Sequence, residues 1–347
     1  MRTLSESKGD NLLSEKSPPS VAIILPAYNE QKEISSAISE MTKQTYAKRE
    51  IIVVDDGSTD GTYDAALSKG NETGEIRVIR ANHGGPSFAR NLGVKESSGE
   101  IVFFGECDCV YDSDYVEKAV NALARNPKAG AVCLTGAPLI LRSTLATDCI
   151  ELENILQHKL LESGKIKPFY AWVFWRDAFN KAGGYDENLF QAEDRDLFNR
   201  IVNAGYEIAW VPGINWRHKR VESLSELSKK WFKRGRTRVL FSLKNRLLKD
   251  LAKAFAPFWF SVLGILLLFV SAIAGSLLIL LVAALFIVQT ARVARIAWPA
   301  VERKSVFLKY PVFLVARNFS TALGYSYGVL KFLARKLQGK KVSYKDV

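Results

Sequence analysis

Glu106 and Asp108 stand two residues apart, directly after the hydrophobic run EIVFF at 100–104. Carboxylates at that spacing on a strand end can point the same way and offer hard oxygen ligands to a divalent cation that also bridges phosphates. An E-x-D pair reads equally well as two solvated loop acids. Cys107 and Cys109 are interleaved with them and raise the alternative of a soft thiolate site, but two sulfurs without a supporting histidine spacing speak against zinc. A second acidic group, Asp55-Asp56-Gly57-Ser58-Thr59-Asp60-Gly61, follows the run EIIVV at 50–54. Its plain reading is a turn leading into an N-cap. A third, Glu193, Asp194 and Asp196, falls where a helix should begin, and acids there complement the helix dipole whatever else they do. His218, in NWRHKR, is one of three histidines and by itself reads as a satisfied surface residue.

These residues need a scaffold that gathers strand ends. Short apolar, β-rich runs at 21–25, 50–54, 76–80 and 100–104 alternate with amphipathic stretches near 31–43, 61–69, 86–97 and 114–125. That rhythm predicts βαβ units on a mostly parallel mixed sheet flanked by helices. Such sheets bind ligands at the carboxyl ends of their strands, where Pro26-Ala27-Tyr28-Asn29-Glu30, Asp55-Asp56 and Glu106-Cys107-Asp108 all stand. A nucleotide could lie across them. No G-x-G-x-x-G or G-x-x-x-x-G-K-[ST] segment follows a strand, so dinucleotide and P-loop readings fall away.

The series LPAYNE, IIVVDDGSTDGT, NHGGPSFARNLGV, the E-x-D tripeptide and GGYDENLFQAEDRDLFNRIVNAGY, in that order over about residues 20–220, resembles the family 2 inverting glycosyltransferases. The resemblance implies an A-type nucleotide-diphospho-sugar transferase fold and a nucleoside-diphosphate sugar as donor. It places Pro26, Ala27, Tyr28 and Glu30 along base and ribose, with Asp55 or Asp56 fixing one of them. Arg90 and Cys107 join the donor site. Glu106 and Asp108, with His218 approaching, would hold Mg²⁺ or Mn²⁺ against the diphosphate. Glu106 and Cys109 depart from the family pattern, which has Asp at the first place and frequently an acid at the second. Asp194 matches the general base; if the acceptor is already an anionic phosphate, it becomes a positioning group instead.

Charge and hydropathy divide the chain. The net charge is +12, yet from residue 229 onward 22 Lys or Arg face three acids (Asp250, Glu302, Asp346), a local surplus of +19 that leaves −7 for the first 228 residues. A nucleic-acid enzyme would carry its basic patch on the folded reading domain, so nucleic acid is not the expected partner. The surplus instead flanks residues 254–291, 38 positions without a charged side chain. As one helix these would run to about 57 Å, far beyond a roughly 30 Å hydrocarbon core, so the expectation is a transmembrane hairpin reversing at Ala274-Gly275-Ser276. Its basic flanks keep both ends cytosolic. Residues 306–337 form a third apolar helix, interfacial or membrane-spanning. Residues 223–253 make a basic juxtamembrane helix, with Trp231 inserted among headgroups and Lys233, Arg234 and Arg236 facing phosphates. Residues 1–19 read as a disordered start with no signal peptide, and four unpaired Cys suggest a reducing compartment.

The expected protein is therefore a multi-pass enzyme of the cell membrane, with a cytosolic catalytic domain over 20–222 and a lipid-linked acceptor, a polyprenyl phosphate or polyprenyl-linked glycan. Rivals are transfer to a protein, glycolipid or glycan hydroxyl, and a nucleotide-sugar-binding module without catalysis. The sequence leaves the sugar, the base and the oligomeric state open.

Overall fold

The computed structural model describes residues 17–140, 142–166, 168, 170–189, 193–219, 223–244 and 277–338. Residues 1–16 of the expected disordered start over 1–19, and the first arm of the hairpin with its reversal, lie outside them. The chain folds as two units, 1–137 with 164–219, and 138–163 with 220–347. Residues 138–163 thus leave the stretch that the sequence assigned to a single catalytic domain.

The first unit opens with β1 (Val21–Ala27), α1 (Ile34–Thr42), β2 (Arg49–Asp55), α2 (Thr62–Thr73), β3 (Ile76–Arg80), α3 (Pro86–Lys95), β4 (Ile101–Phe104), β5 (Cys109–Tyr111), α4 (Tyr115–Arg125) and β6 (Ala129–Leu139). After the excursion into the second unit come β7 (Val173–Trp175), α6 (Arg176–Lys181), α7 (Glu193–Asn203) and β8 (Glu207–Lys219). The eight strands form one sheet in the order β3-β2-β1-β4-β7-β6-β8-β5. The β3-β2-β1-β4 half is parallel, as the alternating pattern requires. Beyond β4 the β4/β7, β6/β7 and β5/β8 pairs are antiparallel, so the sheet is mixed to a greater degree than expected.

Side chains alternate across the parallel half, and both faces are apolar because both are covered. Ile23, Ile51, Ile101 and Phe103 pack with Tyr115, Val116 and Leu123 of α4. Leu25 and Val53, on that same face, pack with Ile34 and Ile38 of α1 and Ala66 of α2. Ile24, Ile52, Val54, Val102 and Phe104 face the other way, toward Ala89 of α3, Phe179 of α6 and Leu197 and Ile201 of α7. With its two faces sealed, the sheet leaves the carboxyl ends of β1, β2 and β4 as the places where polar groups collect.

The second unit contains α5 (Leu145–Glu162), α8 (Leu224–Lys244), α9 (Leu277–Ala297) and α10 (Val306–Leu337). Thr144 caps α5: its Oγ1 accepts from Thr147 N at 3.2 Å while Thr147 Oγ1 accepts from Thr144 N at 2.8 Å. Where α8 crosses α10, a Cβ on Gly235 would strike the carbonyl oxygen of Thr321, and one on Gly324 that of Phe232. Only glycine permits backbones to approach that closely. No helix among the described residues is long and apolar enough to cross a membrane.

Candidate active site

The loops after β1 and β2 are tied to each other. Asn29 adopts a left-handed φ of 57°, a conformation Asn tolerates, and its Oδ1 accepts from Thr59 N at 2.9 Å. Glu30 N donates to Thr62 Oγ1 at 2.7 Å. Pro26 and Ala27 end β1, and Tyr28, 42% exposed, stacks on His83 with ring centroids 4.2 Å apart. Gly57, at φ 70°, lets this layer close, because a Cβ there would lie 2.7 Å from His83 N.

The adjacent carboxylates Asp55 and Asp56 have different surroundings. Asp56 accepts from Gly84 N at 2.8 Å and Gly85 N at 2.9 Å, with His83 Nδ1 2.9 Å from its Oδ2. Its oxygens are spent on pinning the 83–85 loop. Asp55 is fully buried; its Oδ1 accepts from Ser58 N at 3.4 Å, while Oδ2 has no hydrogen-bond partner and lies 3.8 Å from Arg80 Nε. A buried acceptor left unmade costs roughly 1–3 kcal/mol, so Asp55 is the member of the pair with capacity for a ligand's N–H or O–H.

Beyond β4 the chain turns sharply, with Cys109 N donating to Glu106 O at 3.4 Å and Glu106 N donating to the Tyr111 hydroxyl at 3.0 Å. The turn sends the two cysteines apart. Cys107 Sγ goes to Pro26 O at 3.6 Å and packs with Leu25 and Ala27. Cys109 comes back over Glu106, its Sγ 3.4 Å from Oε2. The β5/β8 register sets Cys109 opposite His218, whose Nε2 is 3.2 Å from Asp108 Oδ2 and 4.0 Å from Glu106 Oε2. One ligand atom from each of Glu106, Asp108, Cys109 and His218 falls within 4.8 Å of the others. Two carboxylates, an imidazole and a thiol converging on one point fit a divalent cation. Burial raises Glu106 to about 7 against the pull of Arg90, with Asp108 and Asp194 adding to the rise. Burial likewise pushes the Cys109 thiol well up.

Arg90, on α3 and 6% exposed, links this group to the start of α7. Its guanidinium lies 3.9 Å from Glu106 Oε1, 3.4 Å from Glu193 Oε1 and 4.0 Å from Asp194 Oδ1. It also stacks over the rings of Trp172 (5.3 Å) and Tyr185 (5.1 Å). Burial works against its charge, but Tyr185 and the three acids more than offset that. Asn91 holds Tyr185 in place, accepting from Tyr185 N and donating to Tyr185 O, both at 2.9 Å. Burial raises Glu193 and Asp194 together; repulsion from Asp194 raises Glu193 further, and Arg90 opposes both shifts. Asp196 is occupied by Arg200 Nε at 2.8 Å. Trp172, Tyr185, Asn91 and His83 all escaped the sequence reading as site residues. The Asn in ARN-x-G and the Tyr in GGYD were visible in their motifs, but their mutual bonds are not a sequence signal.

The four residues assigned to a membrane surface divide. Trp231 is 7% exposed and packs edge-on against Phe313 at 5.1 Å, so it is a core residue of the second unit and not the headgroup anchor expected. It falls on the α8 face of Leu227 and Gly235, one turn to either side, which is the face turned to α10. Lys233 and Arg234 are exposed, and Arg236 is half-buried.

Residues 22–181 match the model of the Glycosyl transferase family 2 domain. The chain is 32% identical over 260 residues to a probable glycosyltransferase of Bacillus subtilis, YdaM, an alignment covering 69% of this chain and 59% of that protein. It is 26% identical over 245 residues to the glycosyltransferase AglE of Haloferax volcanii, covering 69% and 78%. The chain thus spans about three fifths of the YdaM length. Among solved structures, the mannosyltransferase PcManGT of Pyrobaculum calidifontis, in complex with GDP-Man and Mn²⁺, superposes with a TM-score of 0.58 at 20% identity, covering 94% of this chain and 89% of that one. That likeness is one of fold, and it identifies the mixed sheet as A-type.

Proposed function

We propose that this protein is a membrane-anchored inverting glycosyltransferase that moves a sugar from a nucleoside-diphosphate sugar to a lipid-linked acceptor, a polyprenyl phosphate or a glycan carried on one. The observation that carries the transfer is Arg90, which joins a cation-binding group to a carboxylate pair of raised affinity for protons. A leaving-group side and an acceptor side thereby meet within one salt-bridge network.

On the donor side, Asp55 accepts from the base or ribose with its spare oxygen, and Pro26, Ala27, Tyr28 and Glu30 flank that position. Glu106, Asp108 and His218 hold Mn²⁺ or Mg²⁺. Such an ion supplies charge neutralisation for a departing nucleoside diphosphate. On the acceptor side, Asp194 takes the hydroxyl proton as the sugar C1–O bond forms, or orients the nucleophile where the acceptor is an anionic phosphate. Arg90 fixes the direction of the Glu193–Asp194 pair, and its charge opposes the rise that burial imposes on both carboxyls.

Membrane anchoring and a cytosolic catalytic unit belong to the same reading. They are supported by the 38 uncharged residues at 254–291 between basic flanks, and by an apolar row on α10 that includes Leu308 at 84% and Leu337 at 89% exposure. The test offers membranes containing the protein a panel of labelled nucleoside-diphosphate sugars and extracts them with organic solvent. Label in the organic phase, lost when Asp194→Asn replaces the wild type, supports the reading. Label confined to glycan or protein moves the acceptor to a hydroxyl, and donor binding without any transfer leaves a binding module.

A further inference from the structure

We propose that Cys109 is a metal ligand through its thiolate, giving the site a preference for softer divalent cations such as Co²⁺, Zn²⁺ and Cd²⁺ over Mg²⁺. The inference rests on the assignment of Glu106 and Asp108 as cation ligands above. Two independent pieces of backbone bring the sulfur to the site. The 106–109 turn folds Cys109 back onto Glu106, and the antiparallel register places it directly across from His218. Opposed residues of a ladder share a face, with Cβ atoms about 4.5–5.5 Å apart. Tyr111 and Trp216, the next opposed pair on that face, stack at 6.4 Å and close off its inner side.

The distances suit coordination. Cys109 Sγ is 3.4 Å from Glu106 Oε2 and 3.9 Å from Asp108 Oδ1, and His218 Nε2 is 3.2 Å from Asp108 Oδ2. Ligands bound at about 2.0–2.3 Å in a tetrahedron stand roughly 3.3–3.7 Å apart, so small side-chain adjustments close the group on one ion. A cysteine buried in an apolar core needs no polar partner. This one is 3% exposed among Tyr111, Tyr115 and Phe103, yet its sulfur is turned to the polar rim. Cys107 supplies the contrast, since its sulfur is committed to Pro26 O and the β1 end. On binding, the M–S bond forms as the thiol proton leaves to solvent, so uptake releases a proton. Thiolate and imidazole ligands favour the later, softer ions, whereas an all-oxygen set favours Mg²⁺.

The test titrates the full-length protein with Co²⁺ alone, without nucleotide. The expected result is a near-ultraviolet thiolate-to-Co(II) charge-transfer band that saturates at one equivalent, persists in Cys107→Ser and vanishes in Cys109→Ser. Co²⁺ uptake by calorimetry without that band, or a band that survives in Cys109→Ser, overturns the proposal while leaving the oxygen and imidazole site standing. No Co²⁺ uptake at all overturns it together with the metal assignment on which it rests. A second variant, Cys109→Asp, keeps a ligand of similar reach and should move the Mg²⁺/Cd²⁺ affinity ratio toward Mg²⁺ by roughly tenfold or more. An unchanged ratio counts against the thiolate.

Discussion

Asp194 bears the sharpest expectation at the scale of single residues. Asp194→Asn preserves size and the neighbourhood of Arg90 while removing the acceptor of a proton. Turnover should fall by roughly 10²–10⁴-fold with donor binding retained, measured by initial rates alongside nucleotide-sugar calorimetry. Full activity in the variant would remove Asp194 from the chemistry. The same carboxylate pair sets a pH profile. Burial raises Glu193 and Asp194, so protons stay on the pair at pH values where ordinary carboxylates, near 4, have lost them. The base form appears as pH rises, and kcat/KM should climb along an acidic limb that lies above the usual carboxylate range. A limb at the ordinary value would show the pair to be solvated during the reaction. Much at this scale was legible, because Glu106, Asp108, Asp194 and Arg90 stand in ordered motifs. The partners of those residues were hidden. Trp172 and Tyr185 under Arg90, and the approach of the Cys109 sulfur to Glu106 and His218, arise from chain segments brought together only by the fold.

At the scale of elements, β1 to β4 and α1 to α4 were readable because each carries its own period and its own turn residues. The strands β5 and β7, three residues each, carry too little periodicity to register, and β8 runs through Gly213 at φ 87°. Their pairing decided how parallel the sheet would be, and it also created the Cys109–His218 contact. The helix crossing of the second unit is equally silent in sequence. Gly324→Ala tests it. Alanine favours a helix over glycine by about 1 kcal/mol, but its Cβ would enter the space held by the Phe232 carbonyl. The steric term should win, since overpacking costs typically 1–3 kcal/mol and here the obstacle is backbone, which cannot rotate aside. Thermal unfolding monitored on the full chain should therefore shift downward for Gly324→Ala. The same replacement at Gly70, where the nearest atoms to an added Cβ lie at 3.6 Å, should be neutral or stabilising. Equal effects at the two positions would argue that α8 and α10 do not cross so closely.

Across the whole molecule, the division into an acidic first part and a basic second part was plain from the sequence, whereas the boundary was not, because residues 138–163 fold with the C-terminal unit. Composition gives no sign of such an exchange: α5 looks like any amphipathic helix until its Asp148 is found paired with Lys309 at 3.0 Å. The structure also changes which cations can test docking on an anionic bilayer. Arg236 is half-buried beside the helix crossing, so replacing it would confound packing with charge, while Lys230, Lys233 and Arg234 are exposed on α8. Each cation near an anionic surface contributes about 1 kcal/mol at low salt. Replacing Lys230, Lys233 and Arg234 by Gln should thus raise the apparent KM for a lipid-phosphate acceptor by up to roughly a hundredfold, while the donor KM, set by Asp55 and the cation group, stays level. Salt distinguishes this from a folding defect, because screening weakens the wild-type advantage and the two proteins should converge as ionic strength rises. A variant that uses the lipid acceptor normally at low salt would separate α8 from acceptor capture and favour a water-soluble hydroxyl in its place.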